Sequence, residues 1–132
     1  MSESTPKLQD LAIRTIAMPK DTNPFGDIFG GWLVSQMDLA GALIAQKYSK
    51  KRVATVAINQ MSFKKPVEVG DEVSCYARID HFGHTSLTIH IEVWATSPLL
   101  EDTHKVTEGI FVFVALDDQG HPSPIDRTPT KK

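Results

Sequence analysis

Residues 31–48 (GWLVSQMDLAGALIAQKY) constrain the fold more than any other stretch of this chain. Leu33, Met37, Ala40 and Ile44 recur at spacings of three and four and form one helical stripe. Val34, Gly41, Ala42 and Ala45 form a second stripe beside it. A helix that is apolar around most of its circumference has to be enclosed. Here the rest of the chain reads as strands, so a sheet has to do the enclosing.

After this helix the period switches to two. A strand runs from Val53 to about Phe63. Val73, Cys75, Ala77 and Ile79 alternate with Glu72, Ser74, Tyr76, Arg78 and Asp80, and Leu87, Ile89, Ile91, Val93 and Ala95 alternate with polar neighbours and Trp94. Val106, Ile110, Val112, Val114 and Leu116 continue the pattern to the Asp117-Asp118-Gln119-Gly120 turn. Residues 11–18 supply an earlier strand, stopped at Pro19, and His81-Phe82-Gly83-His84 fits a hairpin connection. The expected class is therefore α+β, with one antiparallel sheet wrapped around a central helix. A lone curved sheet leaves a face and two edges uncovered, which predicts association between subunits. The 132 residues predict a single domain over 1–132, with a core over about 8–120 and a loose Pro- and Lys-containing end, PSPIDRTPTKK.

Asp38 interrupts the second apolar stripe. A carboxylate taken out of water costs several kcal/mol unless it is paired or protonated, so it reaches the edge of the core or is kept for chemistry. Other chemistry-bearing residues offer less. Cys75 sits in the inward phase of its strand and reads as a small core residue. As the only cysteine, it excludes an intrachain disulfide and a thiolate metal cage. His81 and His84 lack partners at metal-ligand spacing. A net charge of −2 argues against a nucleic-acid partner. No long apolar run or secretory layout is visible, so no membrane association is expected and the expected location is cytoplasmic.

The run Asp21-Thr22-Asn23-Pro24-Phe25-Gly26-Asp27-Ile28-Phe29-Gly30-Gly31-Trp32, followed by Gln36-Met37-Asp38, resembles the hotdog-fold acyl-CoA thioesterases. Within them it is most similar to the short bacterial YciA-type acyl-CoA hydrolases. Arg14-Thr15, Ala17-Met18-Pro19, Lys65-Pro66-Val67, Val69-Gly70-Asp71 and Ile91-Glu92-Val93-Trp94 extend the likeness over roughly residues 10–120, with 97–104 the least typical part. The resemblance implies a hotdog fold, subunits paired through their sheets and dimers assembled into hexamers. It implies hydrolysis of acyl-coenzyme A to free acid and coenzyme A, with no metal or cofactor.

Thioester hydrolysis needs a placed water, a base and donors for the developing oxyanion; the thiolate leaves readily. Asp38 is the candidate base or, by the family's other route, a nucleophile forming an acyl-enzyme anhydride. Gly30 and Gly31 lie at the helix start, where amides have no internal partner and a carbonyl can approach closely. Their placement predicts an oxyanion hole against which Asp38 works. Asn23 ordinarily makes a turn; the resemblance assigns it to face the neighbouring subunit's carboxylate. Asp27 reads as a capping residue near the helix entrance. Lys64, Lys65 and Arg52, with Lys50 and Lys51, are the basic candidates for the coenzyme A phosphates. Thr55, Asn59 and Ser62 are candidates for the pantetheine amides by analogy.

Three other readings compete. A hotdog dehydratase would place a histidine in residues 20–48, which contain none. A non-enzymatic acyl-CoA-binding regulator would keep the fold without turnover. A thioesterase acting on acyl-carrier protein would differ only in its substrate's carrier.

Overall fold

In the computed structural model, residues 4–126 are described. The strands are β1 (Leu11–Ile16), β2 (Arg52–Phe63), β3 (Glu72–Phe82), β4 (Ser86–Ser97) and β5 (Asp102–Leu116). One long helix, α1 (Gly30–Ser49), precedes β2. All pairings are antiparallel, and the sheet order is β1-β3-β4-β5-β2. β1 and β2 are therefore its edges.

α1 lies across the concave face with Leu33, Met37, Ala40, Gly41, Ala45 and Ser49 buried. Its packing partners are the inward residues of the central strands, among them Val73, Leu87, Ile89, Ile91, Val93, Phe111 and Phe113. Gly41 sets the depth of this contact. A Cβ there would lie 2.7 Å from the Phe113 ring and 2.9 Å from Ile91. Only a residue without a side chain lets the helix sit so low. The helix closes at Lys50, a left-handed C-cap whose amide bonds to the Gln46 carbonyl.

Three expectations need correction. α1 is not enclosed by its own chain: Leu39 is 59% exposed and Leu43 48%, on the side away from the sheet. The sheet's second face is not simply solvated: Ser74, Tyr76 and Trp94 are buried there. Arg14 bonds to Ser74 and Tyr76 on that face, and Trp94 donates to Glu92. The C-terminal end is not loose as far as it is described. Ser123 donates to the Ala115 carbonyl and Ile125 to that of His84, and Ile125 joins the core. Residues 127–132 of that end lie outside the described residues. Among the described residues, no helix is long and apolar enough to cross a membrane.

Candidate active site

α1 packs against β2 at the free edge of the sheet, and the groove is the line along which the two meet. Asp38 stands at its middle, half-buried, and its Oδ1 accepts a hydrogen bond from Thr55 Oγ1 at 2.5 Å. The position that interrupted the apolar stripe thus faces the groove, on the flank of α1 beside β2.

The strand register decides which β2 residues share that groove. Residues directly opposed across an antiparallel pair lie on one face of the sheet. Thr55 opposes Phe113, Ile58 opposes Phe111 and Phe63 opposes Thr107, so these three face α1. Asn59 opposes Ile110 and Ser62 opposes Glu108, which places both on the opposite face. The register shift between Thr55 and Ala57 turns Asn59 over. A second between Asn59 and Ser62, where Gln60 takes a positive φ of 56°, restores the original phase and leaves Ser62 on the face away from Thr55, as simple alternation has it. The structure brings Thr55 to Asp38 and leaves Asn59 and Ser62 away from it. Ser62 is engaged through its backbone carbonyl, which accepts from the Thr107 hydroxyl.

At the start of α1, the N-cap is Phe29 and no side chain caps the first turn. The Gly30 and Gly31 amides are available to a ligand. Asp27 does not cap the helix; its side chain is exposed, and its backbone closes the loop, the amide donating to Asn23 Oδ1 and the carbonyl accepting from the Asn23 amide. Asn23 Oδ1 accepts from the amides of Phe25 at 2.9 Å and Asp27 at 3.1 Å, which is the ordinary turn role of asparagine. This engagement fixes the orientation of its amide, so Nδ2 is the group left to act, and it can only donate.

Gly30 precedes Asp38 by eight positions on one helix, ~12 Å along the axis at about 1.5 Å per residue. The expected arrangement, Asp38 working on a carbonyl held by the glycine amides, does not exist within one chain. Asn23 and the glycines lie together at one end of α1, and Asp38 lies mid-helix.

The basic residues separate too. Lys50, Lys51 and Arg52 surround a hollow of about 580 Å³ beyond the C-terminal end of α1, together with Asp117 and Asp118. Lys64 and Lys65 lie at the other end, beside the helix start, on a cavity of about 500 Å³. Lys64 Nζ is 4.0 Å from Glu108 on the far face, whereas Lys65 is exposed and no described side chain pairs with it.

Cys75 is buried and unpaired, and burial pushes its thiol up to about 12, which disqualifies it as a nucleophile. Sequence reasoning missed one cluster: His90, Glu92 and Glu108 converge on the outer face. Lys105 already supplies a cation there, with Nζ 3.1 Å from Glu108 and 3.9 Å from Glu92. Partial burial raises the Glu108 carboxyl, but the Lys105 hydrogen bond and the nearby positive charges outweigh it and hold the group below the ordinary carboxylate range. No sequence spacing signals this cluster, because it assembles across β4 and β5.

A five-stranded antiparallel sheet wrapped on one long helix, with a carboxylate in the helix–edge groove, defines the class: a hotdog-fold thioesterase. The sequence model of the thioesterase superfamily matches residues 25–101. The acyl-CoA thioester hydrolase YciA of Escherichia coli is 51% identical over 116 residues, covering 86% of this chain and 88% of its own. A hexameric thioesterase from Yersinia pestis superposes with a TM-score of 0.85 at 50% identity, covering 89% of this chain and 96% of that one. A hexameric hotdog fold thioesterase of Campylobacter jejuni gives 0.83 at 38% identity, covering 89% and 90%. The chain belongs to the thioesterase superfamily, in the YciA group of acyl-CoA thioester hydrolases.

Proposed function

We propose that this protein hydrolyses acyl-coenzyme A to the free acid and coenzyme A, with Asp38 as the general base. The observation that carries the mechanism is the Thr55–Asp38 hydrogen bond to a carboxylate that is only half-buried. It fixes Oδ1 and leaves Oδ2 to take a proton from water. The hydroxyl so formed attacks the thioester carbonyl, the amides at the helix start hold the oxyanion, and collapse expels the thiolate, which recovers the proton. Only water and these groups are required, and no cofactor enters.

The ~12 Å between Asp38 and the Gly30 amide means that each site draws on two chains. β2 is an uncovered edge carrying Val56 at 56% and Ile58 at 41% exposure, a combination that invites strand pairing. Two-fold antiparallel pairing of β2 with its copy sets two α1 helices side by side, running oppositely. One chain's Asp38 then approaches the other's Gly30, Gly31 and Asn23. In this arrangement Asn23 Nδ2 donates to the carbonyl or to the attacking water. Thr55, its proton given to Asp38, keeps lone pairs for a pantetheine amide. Asn59 and Ser62, on the other face, make no such contact from their own chain's groove. Lys65 is the favoured phosphate contact, ahead of Lys64, and Arg52 of the second cluster is the other. Similarity to hexameric relatives favours three such dimers, in the cytoplasm.

The test is thiol release from a series of acyl-CoA thioesters, with acyl-carrier-protein thioesters and equilibrium CoA binding in parallel. Turnover of the CoA series supports the reading. Turnover of carrier-protein thioesters alone, or tight binding without turnover, selects one of the two competing functions.

A further inference from the structure

Resting on the thioesterase reading, we infer that the cavity beneath the start of α1 takes the acyl chain of the substrate, and that Phe63 is the lid that sets how long a chain fits. The cavity, of about 500 Å³, opens beside Gly30, and Ile28, Leu33, Phe63, Pro66 and Val67 line it. Ile28, Leu33 and Val67 are 8%, 3% and 3% exposed, so the floor is continuous with the hydrophobic core. Phe63 is half exposed, and its ring lies 3.4 Å from where a Cβ on Gly30 would stand.

A thioester whose carbonyl sits on the helix-start amides has two arms to place. The coenzyme A arm carries two amides and three phosphates. The side chains of the floor offer no donor or acceptor, and Pro66 has no amide hydrogen, so that arm would leave its polar groups unpaired there. The acyl arm has nothing to satisfy and gains from leaving water. Lys64 turns away toward Glu108, and Lys65 stands at the rim, where the polar arm exits. Phe63, at the end of β2, is the one aromatic of this lining and lies outside the hydrophobic core, so a change in its size alters the cavity without repacking the core.

The experiment measures kcat/KM from acetyl- to palmitoyl-CoA for the wild type, Phe63→Ala and Phe63→Trp. In parallel, each protein is titrated with a fluorescent fatty acid, which reads the cavity without turnover. Phe63→Trp should lower the ratio of long-chain to short-chain kcat/KM, by about fourfold for each methylene excluded, and weaken fatty-acid binding. Phe63→Ala should raise that ratio. The same length profile in all three proteins overturns the placement while the thioesterase reading stands. A uniform rise in KM at every length, matched by weaker inhibition by free coenzyme A, also overturns it, because the cavity then holds the pantetheine arm. Phe63-dependent fatty-acid binding in a protein that hydrolyses no acyl-CoA supports the placement and overturns the thioesterase reading instead.

Discussion

Thr55 Oγ1 donates to Asp38 Oδ1 at 2.5 Å, joining the sheet's edge strand to the middle of the helix across 17 residues of sequence. A threonine hydroxyl on a stiff, β-branched side chain is a fixed donor, so the carboxylate is held in one orientation. Thr55→Val keeps the shape and removes the donor. The expected result is a fall in kcat of about tenfold to a hundredfold, the scale of a misplaced catalytic group, with KM changed much less. Thr55→Ser should restore most of the rate. A loss that appears only in KM would assign Thr55 to substrate binding alone.

The two lysines beside the helix start should behave differently. Lys65 has no described partner, so Lys65→Glu should raise KM for acyl-CoA by about tenfold and leave kcat nearly unchanged, since phosphate contacts are made equally in ground and transition states. Lys64→Glu sets a second carboxylate against Glu108, and its main effect should be on stability. Steady-state kinetics and urea melts of the two variants check both statements.

Gly41 is the packing position most sensitive to a single added carbon. Gly41→Ala puts a methyl 2.7 Å from Phe113 and 2.9 Å from Ile91, both inside the core. Alanine's better helix propensity is worth about 1 kcal/mol, but overpacking costs about 1–3 kcal/mol. The expected outcome is net destabilisation, read as a lower urea midpoint at an unchanged slope.

Stability should fall on acidification. The Met18 amide holds the Asp21 carboxyl low, and the His121 and Gln119 amides do the same for Asp117. Glu108 is also held low by Lys105 once partial burial is outweighed. A carboxyl depressed in the folded state stabilises the fold above its ordinary value of 3.8 for aspartate or 4.5 for glutamate, and that contribution is lost as pH falls through the folded value. Thermal melts from neutrality downward should show a melting temperature that declines from about pH 4.5. Asp21→Asn should flatten the decline.

How much of this was legible in the sequence follows from how local each signal is. The helix reads from the Leu33, Met37, Ala40 and Ile44 spacing, and the structure buries three of these and half-buries Ile44. Asp38 stood out because it broke an apolar pattern carried on one element. Asn59 and Ser62 stand beside Thr55 in the sequence reading by analogy alone. Alternation by itself puts Ser62 on the face opposite Thr55, and the register shift after Thr55, which no sequence pattern announces, turns Asn59 there too. The Lys105, His90 and Glu108 cluster left no trace in sequence, since cross-strand pairs depend on register. Ile125 sits in a proline-rich end that composition marks as a tail, yet one backbone bond to His84 anchors it in the core. The two-chain site proposed above was legible only by resemblance; the ~12 Å between Gly30 and Asp38 along one helix is the physical argument for it.

The central claim is that Asp38 is the base. Asp38→Asn keeps the side-chain shape and an acceptor for the Thr55 hydroxyl, and Asp38 is only half-buried, so the fold should survive with stability changed by about 1 kcal/mol or less. The decisive measurement is kcat for acyl-CoA hydrolysis by Asp38→Asn, on protein shown by circular dichroism and sedimentation to be folded and assembled like the wild type. The account predicts a fall of at least about two orders of magnitude, the usual weight of a positioned base. A folded, assembled Asp38→Asn protein that hydrolyses acyl-CoA at near the normal rate would contradict it.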